Sequence, residues 1–376
     1  MFPTFEQCQY EVQAGRIEGI VSPCGNYMLF DYLPIMAARE EEWNEVNIWC
    51  RGLVFDIHTK QLANFPLKKF FNLGQLKENS LGNLLNKQIR SVAEKVDGSL
   101  GICWWNRYTN QPIVHTRGSF RSDQAVWATA WLQEHMDTNL AADLLGGKTY
   151  LFEIIYPENR IVCNYGGWQG LVCLGVHSRQ EDTLVYQEPN LSLEGFRNTM
   201  LYPASSLDAL AKEVSQWKAD REGVVVLFTD GTRVKLKSEE YLKIHRLRFG
   251  MNHNRIVENL KAGNSPIQML LNEGMPDEFV QEVREVEQEI WRKIHILEDE
   301  TSQNLKDMKI ALGTLDNLDP KEERKQQALW AKAHLTDNQL RRFFSALEGH
   351  YAQMFLTCLK QIEVPPVNRL KIRPNA

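Results

Sequence analysis

The sequence predicts an α+β protein, with a β-rich first part and an all-helical second part. Two observations carry this. Up to about residue 250, short apolar and aromatic runs are set off by turn residues, as in half-buried strands. Beyond that point apolar residues recur at threes and fours, which is one face of a helix. The boundary is placed between 248 and 249, giving domains 1–248 and 249–376. At 376 residues the chain is long enough for two cores.

In chain order, strand signals occupy Asn47 to Ile57, Ser91 to Trp105, Pro112 to His115, Lys148 to Tyr156, Leu171 to His177, Glu222 to Phe228 and Arg233 to Leu236. Thr109-Asn110-Gln111-Pro112 and Asp230-Gly231 separate several of them. Helical patterns interrupt at Asp123 to Glu134 and Ser206 to Trp217. In the second part, Phe279, Val283, Val286, Ile290, Ile294 and Leu297 form one helical face. Asp319-Pro320 starts a helix to about His334. Thr336-Asp337-Asn338-Gln339 reads as a capping box for one last long helix, whose apolar face runs from Leu340 to Ile362. Pro365-Pro366 and a short basic tail follow.

Hydrophobic residues make up 43% and charged residues 24%, the balance of an ordinary globular protein. The net charge of −5 argues against a protein that coats nucleic acid, but not against an enzyme with a local basic groove. No apolar run approaches the roughly 18 residues of a membrane span, and Met1 to Tyr10 lacks a signal-peptide core. Seven scattered cysteines without a Cys-x-x-Cys pair read as reduced thiols, which points to a cytoplasmic setting. Cys50, beside Arg51, reads as a small buried residue.

The stretch richest in chemistry is Lys95-Val96-Asp97-Gly98-Ser99-Leu100, at the end of the run Ser91 to Glu94. A lysine amine held beside a phosphate can attack it, provided the amine is unprotonated. The ordinary lysine pKa is about 10.4, so such a site is expected to lower it by burial or nearby cations. Gly98 would let the backbone approach a ligand closely. A short Lys-x-Asp-Gly match alone also fits an ordinary turn with a solvated lysine. Further on, Glu153 lies inside an aromatic strand, Glu222 starts another, and Lys235 and Lys237 share one face of a third. Two lysines on one face suit a polyphosphate.

This ordered set resembles the covalent nucleotidyltransferases: ATP- and NAD-dependent ligases and mRNA capping enzymes. Within them it is most similar to the RNA ligase 1 family of T-even bacteriophages. The similarity is carried also by Cys50-Arg51-Gly52, Lys69-Phe70-Phe71-Asn72, Arg117 to Ala125, Asn159-Arg160-Ile161-Val162 and Lys235-Leu236-Lys237-Ser238 with Tyr241. It covers roughly residues 30 to 245 in family order.

The resemblance implies antiparallel β-sheets flanked by helices in the nucleotidyltransferase domain. It implies ATP as nucleotide, with Mg2+ and Mn2+ as candidate metals. It makes Lys95 the nucleophile that takes AMP, and implies that Arg51 and Lys69 bind phosphates or order the RNA end. Glu153 would hold the ribose, Glu222 would act on metal-bound water, and Lys235 and Lys237 would neutralise the α-phosphate. Gly98, Tyr32, Arg117 and Tyr241 complete the implied nucleotide site, although Tyr32 and Tyr241 also read as packed aromatics. Arg117 stands where the phage enzyme has a lysine, exchanging a point charge for a planar fork. Asp277, in Asp277-Glu278, is the nearest candidate for a second acidic metal ligand beside Glu222.

The implied reaction joins an RNA 5′-phosphate to a 3′-hydroxyl through lysyl-AMP and RNA-adenylate, in RNA or tRNA repair. A monomer served by an end-healing kinase/phosphatase, with no membrane partner, fits this. Two alternatives stand beside it: a DNA ligase or capping guanylyltransferase, and a non-catalytic RNA-binding protein of the same fold. The helical second part argues against the first, because DNA ligases and capping enzymes usually carry a β-barrel there. That helical domain would either select RNA or simply pack on the catalytic domain. His115 and His177, in apolar strands, read as hydrogen-bonded core residues, and the tryptophans mostly as packing. His245-Arg246-Leu247-Arg248 is a basic run that suits a solvated helix end or an RNA phosphate.

Overall fold

The structure, a computed structural model, describes residues 2–180, 183–251, 253–273, 275, 277–314 and 318–362. They form two compact units, the first running to His245 and the second from Arg246. The fold is α+β.

The first unit is built on three sheets. β1 (Ile17–Val21), β2 (Tyr27–Tyr32) and β3 (Arg51–Asp56) form an antiparallel sheet in that order. The other strands are β4 (Phe71–Asn72), β5 (Ile89–Glu94), β6 (Ser99–Asn106), β7 (Gln111–Thr116), β8 (Thr149–Ile155), β9 (Gly170–Gln180), β10 (Thr183–Gln187), β11 (Arg197–Asn198), β12 (Leu201–Tyr202), β13 (Gly223–Phe228) and β14 (Arg233–Lys237). One sheet runs β12-β5-β13-β14-β4, and the other runs β10-β9-β8-β6-β7 with β11 beside β9. Pairing is antiparallel except at the two-residue strands β4 and β11, which run parallel to β14 and β9.

Each sheet buries one face under helices whose apolar positions repeat at helical spacing. Helix Leu207–Ser215 packs Leu207, Leu210 and Val214 on Val224, Val226, Val234 and Leu236. Ala128, Leu132, Leu140 and Leu144, from helices Asp123–His135 and Thr138–Leu145, cover Cys103, Phe152, Ile154 and Cys173. Helix Phe5–Gln13 starts at a capping box of Thr4 and Gln7 and sets Phe5 and Cys8 against Phe30 and Phe55. Each Val, Leu, Ile or Phe among them contributes roughly 1.5–3 kcal/mol on burial.

The expected single run from Ser91 to Trp105 is in fact two strands in two different sheets. The chain leaves one sheet at Glu94 and enters the other at Ser99, so Lys95 to Gly98 cross between them. Asn47 to Trp49 is a single 3-10 turn ahead of β3, not strand.

The second unit is helical. Its longest helix, Asp277–Leu312, turns Phe279, Val283, Ile290 and Ile294 inward, while Val286 and Leu297 are half-buried. Helix Pro320–His334 starts at Asp319, and Thr336 with Gln339 makes the capping box of Asp337–Leu347. The expected long last helix is two, Asp337–Leu347 and Tyr351–Gln361. Gly349, at φ +74°, turns the chain between them. Met308, Ala331 and Phe343 form a core cluster there, and buried Arg342 pairs with Glu300. Pro365-Pro366 and the basic tail lie outside the described residues. No helix among the described residues is long and apolar enough to cross a membrane.

Candidate active site

Lys95 occupies the crossover between the two larger sheets. Its backbone N–H donates to the Gly223 carbonyl at 2.9 Å, tying it to the first residue of β13. Its Nζ donates to Glu222 Oε2 at 2.7 Å, and Lys237 Nζ lies 2.8 Å from Glu222 Oε1. One buried carboxylate, just ahead of β13, thus sits between a lysine that follows β5 and a lysine on β14, the two neighbours of β13. Residues 223 and 237 are register partners, as are Val225 and Lys235, so alternation brings Lys235 to the same face as Lys237.

Gly98 donates its N–H to Glu153 Oε1 at 3.1 Å. A Cβ at Gly98 would meet Ile155 Cδ1 at 2.6 Å and the Ile154 carbonyl at 2.7 Å. The close approach that requires glycine here is to β8, and φ is not positive. Gly223 has the same role on the other side. At φ +151° its Cβ would fall 2.0 Å from the Leu236 carbonyl.

Asp97 organises the turn. Its Oδ2 accepts from the backbone N–H groups of Val162 and Cys163, both at 2.8 Å, and its Oδ1 accepts from the Tyr241 hydroxyl at 2.6 Å. Its own N–H donates to the Tyr165 hydroxyl at 2.7 Å. Tyr241 is only 1% exposed and its hydroxyl is committed to Asp97. The sequence singled out Lys95 and Gly98 and passed over the aspartate between them. A carboxylate that can accept several backbone N–H bonds beside a glycine turn was the available signal.

Around this centre lies a group of cations. Lys235 Nζ is 4.7 Å from the centre of the Phe70 ring, and Arg51 is 5.7 Å from the same ring. Lys69 Nζ lies 3.5 Å from the Tyr32 hydroxyl, and the Arg117 guanidinium is 4.2 Å from the Tyr32 ring centre. Burial, then the charges of Lys95, Arg51, Lys69 and Lys237, hold the Lys235 amine well below the usual lysine range. Burial likewise pulls Lys69 down, against the Tyr32 oxygen. Burial alone would push Tyr32 up, but Lys69, Arg117 and Arg51 bring it below the ordinary tyrosine value. Arg51 Nη1 is buried without a hydrogen-bond partner. Such crowding of like charge favours an anion among them.

The carboxylates respond in opposite directions. Burial pushes Glu153 up to about 7, against the pull of Lys95 and with the help of Glu222 and Asp97. For Glu222 burial is outweighed by Lys95 and Lys237, so its carboxyl falls below the usual range. Burial would lower Lys95, but the Glu222 and Glu153 charges and the Glu222 hydrogen bond leave it above the ordinary lysine value. The expectation that the site lowers Lys95 is therefore reversed while Glu222 is its partner.

Residues 49–241 match a family described as RNA ligase. The match covers more than half of the chain. The chain belongs to the RNA ligase family. The matched region contains every sequence-predicted site residue except Tyr32 and Asp277. A relative from Autographa californica nuclear polyhedrosis virus, named as a bifunctional polynucleotide kinase/RNA ligase, is 24% identical over 255 residues. That alignment takes in 62% of this chain and 35% of the viral protein, so the chain spans about a third of that relative's length. Among solved structures, an archaeal ATP-dependent RNA ligase is similar at TM-score 0.43 and 16% identity over 66% of each chain. A Naegleria gruberi RNA ligase is similar at TM-score 0.38 and 13% identity, over 65% of this chain and 84% of that one.

Other expected residues fall into place around the family's matched region. His115 is fully buried between Asn64 at 2.9 Å and the Thr116 carbonyl at 2.8 Å, and His177 bonds the Phe65 carbonyl at 2.7 Å. Burial depresses both to about 4, so they are neutral core histidines. Trp104 and Trp131 are core residues, and Trp127 stacks on Tyr156 at 4.6 Å. Cys50 is buried beside Cys8, Sγ to Sγ 3.8 Å, and all seven cysteines are free. Asp277 opens the long helix of the second unit, and its side chain lies outside the described residues. Among the described residues no three His, Cys, Asp or Glu side chains gather as a metal cluster. Glu222 offers one carboxylate, which fits a metal held mostly by phosphate oxygens and water.

Proposed function

We propose that the protein is an ATP-dependent RNA ligase that joins 5′-phosphate and 3′-hydroxyl ends through lysyl-AMP. The observation that carries this is the Lys95–Glu222–Lys237 bridge, set among Arg51, Lys69, Arg117 and Lys235. Family membership supports the reaction class.

In this reading the crowded cations take up the triphosphate. Lys235 and Lys237 face the α-phosphate, where negative charge grows as the phosphorus–oxygen bond to pyrophosphate breaks. Lys95 supplies the electron pair that forms the phosphorus–nitrogen bond, and Glu153 holds the ribose. To attack, the Lys95 amine must first lose its proton, and the Glu222 pairing opposes that loss. Binding the nucleotide moves Glu222 off Lys95, and the ammonium proton passes to water before the amine attacks. Glu222 would help hold a divalent cation, Mg2+ or Mn2+, which would supply countercharge to the phosphates. AMP then passes to the RNA 5′-phosphate, and the 3′-hydroxyl displaces it. A broken tRNA, an end-healing kinase and a monomeric enzyme are the setting we favour, and the viral relative's kinase half gives the kinase its support.

The test is incubation with α-labelled ATP or GTP and magnesium, followed by a denaturing gel. ATP alone labels the native protein, and Lys95→Ala stays folded but takes no label. Ordinary labelling of that variant sinks the assignment, and label from GTP moves the protein to the capping class.

A further inference from the structure

The pairing of β2 with β3 slips once: Phe30 faces Leu53 and Asp31 faces Arg51, so the extra residue is Gly52 of β3, at φ +83°. The bend falls on β3 beside Arg51, and such bulges collect beside active sites. Phe30 and Tyr32 share the core cluster of helix Phe5–Gln13, so Asp31 between them turns to the other face of β2, the one that buries Tyr27 and Leu29. Asp31 is 2% exposed, and its Oδ1 has no hydrogen-bond partner. Its Oδ2 lies 3.2 Å from Arg117 Nε, an ion pair outside hydrogen-bond geometry. A buried carboxylate is costly without a countercharge, so the pairing with Arg117 explains why it is tolerated. The groups that face Asp31 are Arg117, Glu18 on β1, Arg51 on β3 and the Tyr32 backbone N–H. Glu18 opposes its charge and the others favour it. Gly118 leaves the room, since a Cβ there would meet Asp31 Oδ2 at 2.9 Å.

Arg117 is thus held from two sides. Asp31 fixes its Nε edge, and the Tyr32 ring lies against its guanidinium at 4.2 Å. Arg51 and Lys69 feel its charge. A planar fork needs such orientation to meet a phosphate with two donors, where a lysine point charge would not. We infer that Asp31 is a positioning residue, which holds Arg117 on the Tyr32 ring so that its guanidinium meets a nucleotide phosphate. This rests on the ATP reading above.

The experiment measures ATP affinity by calorimetry, and separately the rate of Lys95 labelling at saturating ATP. The proteins are the native chain, Asp31→Asn, Arg117→Ala and the double variant. Asp31→Asn weakens ATP binding roughly tenfold, the scale of a charge-assisted contact, and leaves the saturated labelling rate within about twofold. Arg117→Ala weakens binding at least as much, and adding Asp31→Asn to it costs nothing further, because the two act as one unit. Lowering the pH through 7 weakens native binding more than Asp31→Asn binding, because the Asp31 carboxyl, pushed up by burial to about 7, takes a proton there. Glu153 titrates in the same range, so the difference between the two proteins reports Asp31. Gly118→Ala crowds Asp31 with its charge intact and lowers affinity in the same direction. It decides the matter if Asp31→Asn melts early. Unchanged affinity in Asp31→Asn, or an equal loss in the Arg117→Ala background, overturns the inference. Native protein that binds ATP without becoming labelled overturns the ligase reading and still judges Asp31. Absence of ATP binding overturns both.

Discussion

Glu153 shows how a single residue near Lys95 couples folding to pH. Burial, reinforced by the Glu222 and Asp97 charges, raises its carboxyl to about 7. An unfolded glutamate releases its proton near 4.5. Between these values the native state holds more protons than the unfolded one, so stability falls as pH rises. Glu153→Gln keeps an acceptor for the Gly98 N–H and removes the charge. The variant should melt with the native protein near pH 5 and above it at pH 8, by on the order of 2 kcal/mol. Thermal melting at the two pH values checks this, and a variant that melts lower at pH 8 would refute the sign. At this scale most of the site was legible from residue type and order: Lys95, Glu153, Glu222, Lys235 and Lys237 do converge. Asp31 was not legible, because which guanidinium a buried carboxylate meets is set by the folded chain, and Arg117 lies far from it in sequence. The direction of the Lys95 shift was hidden for a similar reason, since it depends on which carboxylate folds against the amine.

At the scale of elements, the site exists because a strand-like run breaks at Lys95 and changes sheets. Two glycines permit the break. Gly98 packs on the β8 backbone and Gly223 on the β14 backbone, with no room for a Cβ at either. Gly98→Ala should therefore cost about 1–3 kcal/mol, the usual range for overpacking, and reduce Lys95 labelling more than its stability loss explains. Gly223→Ala should cost more, because a positive φ adds strain to a 2.0 Å contact. Denaturant titration and labelling of the two variants give both quantities. Labelling at the native rate in Gly98→Ala would show that the β6–β8 approach does not set the lysine. The sequence showed the strands as apolar runs, yet it could not show that Ser91 to Trp105 divides between two sheets. Apolar character is the same in both, and only the pairing of β5 with β13 and of β6 with β8 separates them. The shorter strands β4, β11 and β12 were missed because two residues carry no pattern. Gly349 was the visible stop signal in the final helical run, masked by a hydrophobic face that continues past it.

At the scale of the whole molecule, all the residues proposed to handle the nucleotide lie before His245, apart from the metal candidate Asp277. The first unit has cores of its own, one under each sheet, and the second unit has its own cluster at Met308, Ala331 and Phe343. Helix Glu239–Gly250 runs across the boundary, so a cut inside it would expose a helix end beside Tyr241, which braces Asp97. A chain ended after Met251 keeps that helix whole. We predict that it folds and still takes AMP from ATP, with its labelling rate within roughly an order of magnitude of the full chain. On the reading that the helical unit selects RNA, it should join a nicked tRNA and an unstructured RNA of equal length at similar rates. The full chain and the truncated one, each given both RNAs in competition, provide the measurement. A truncated chain that keeps the full chain's preference would place RNA selection in the first unit and leave the helical unit a packing role. A truncated chain that is folded but unlabelled would instead give the second unit a part in nucleotide transfer, with Asp277 the first residue to replace.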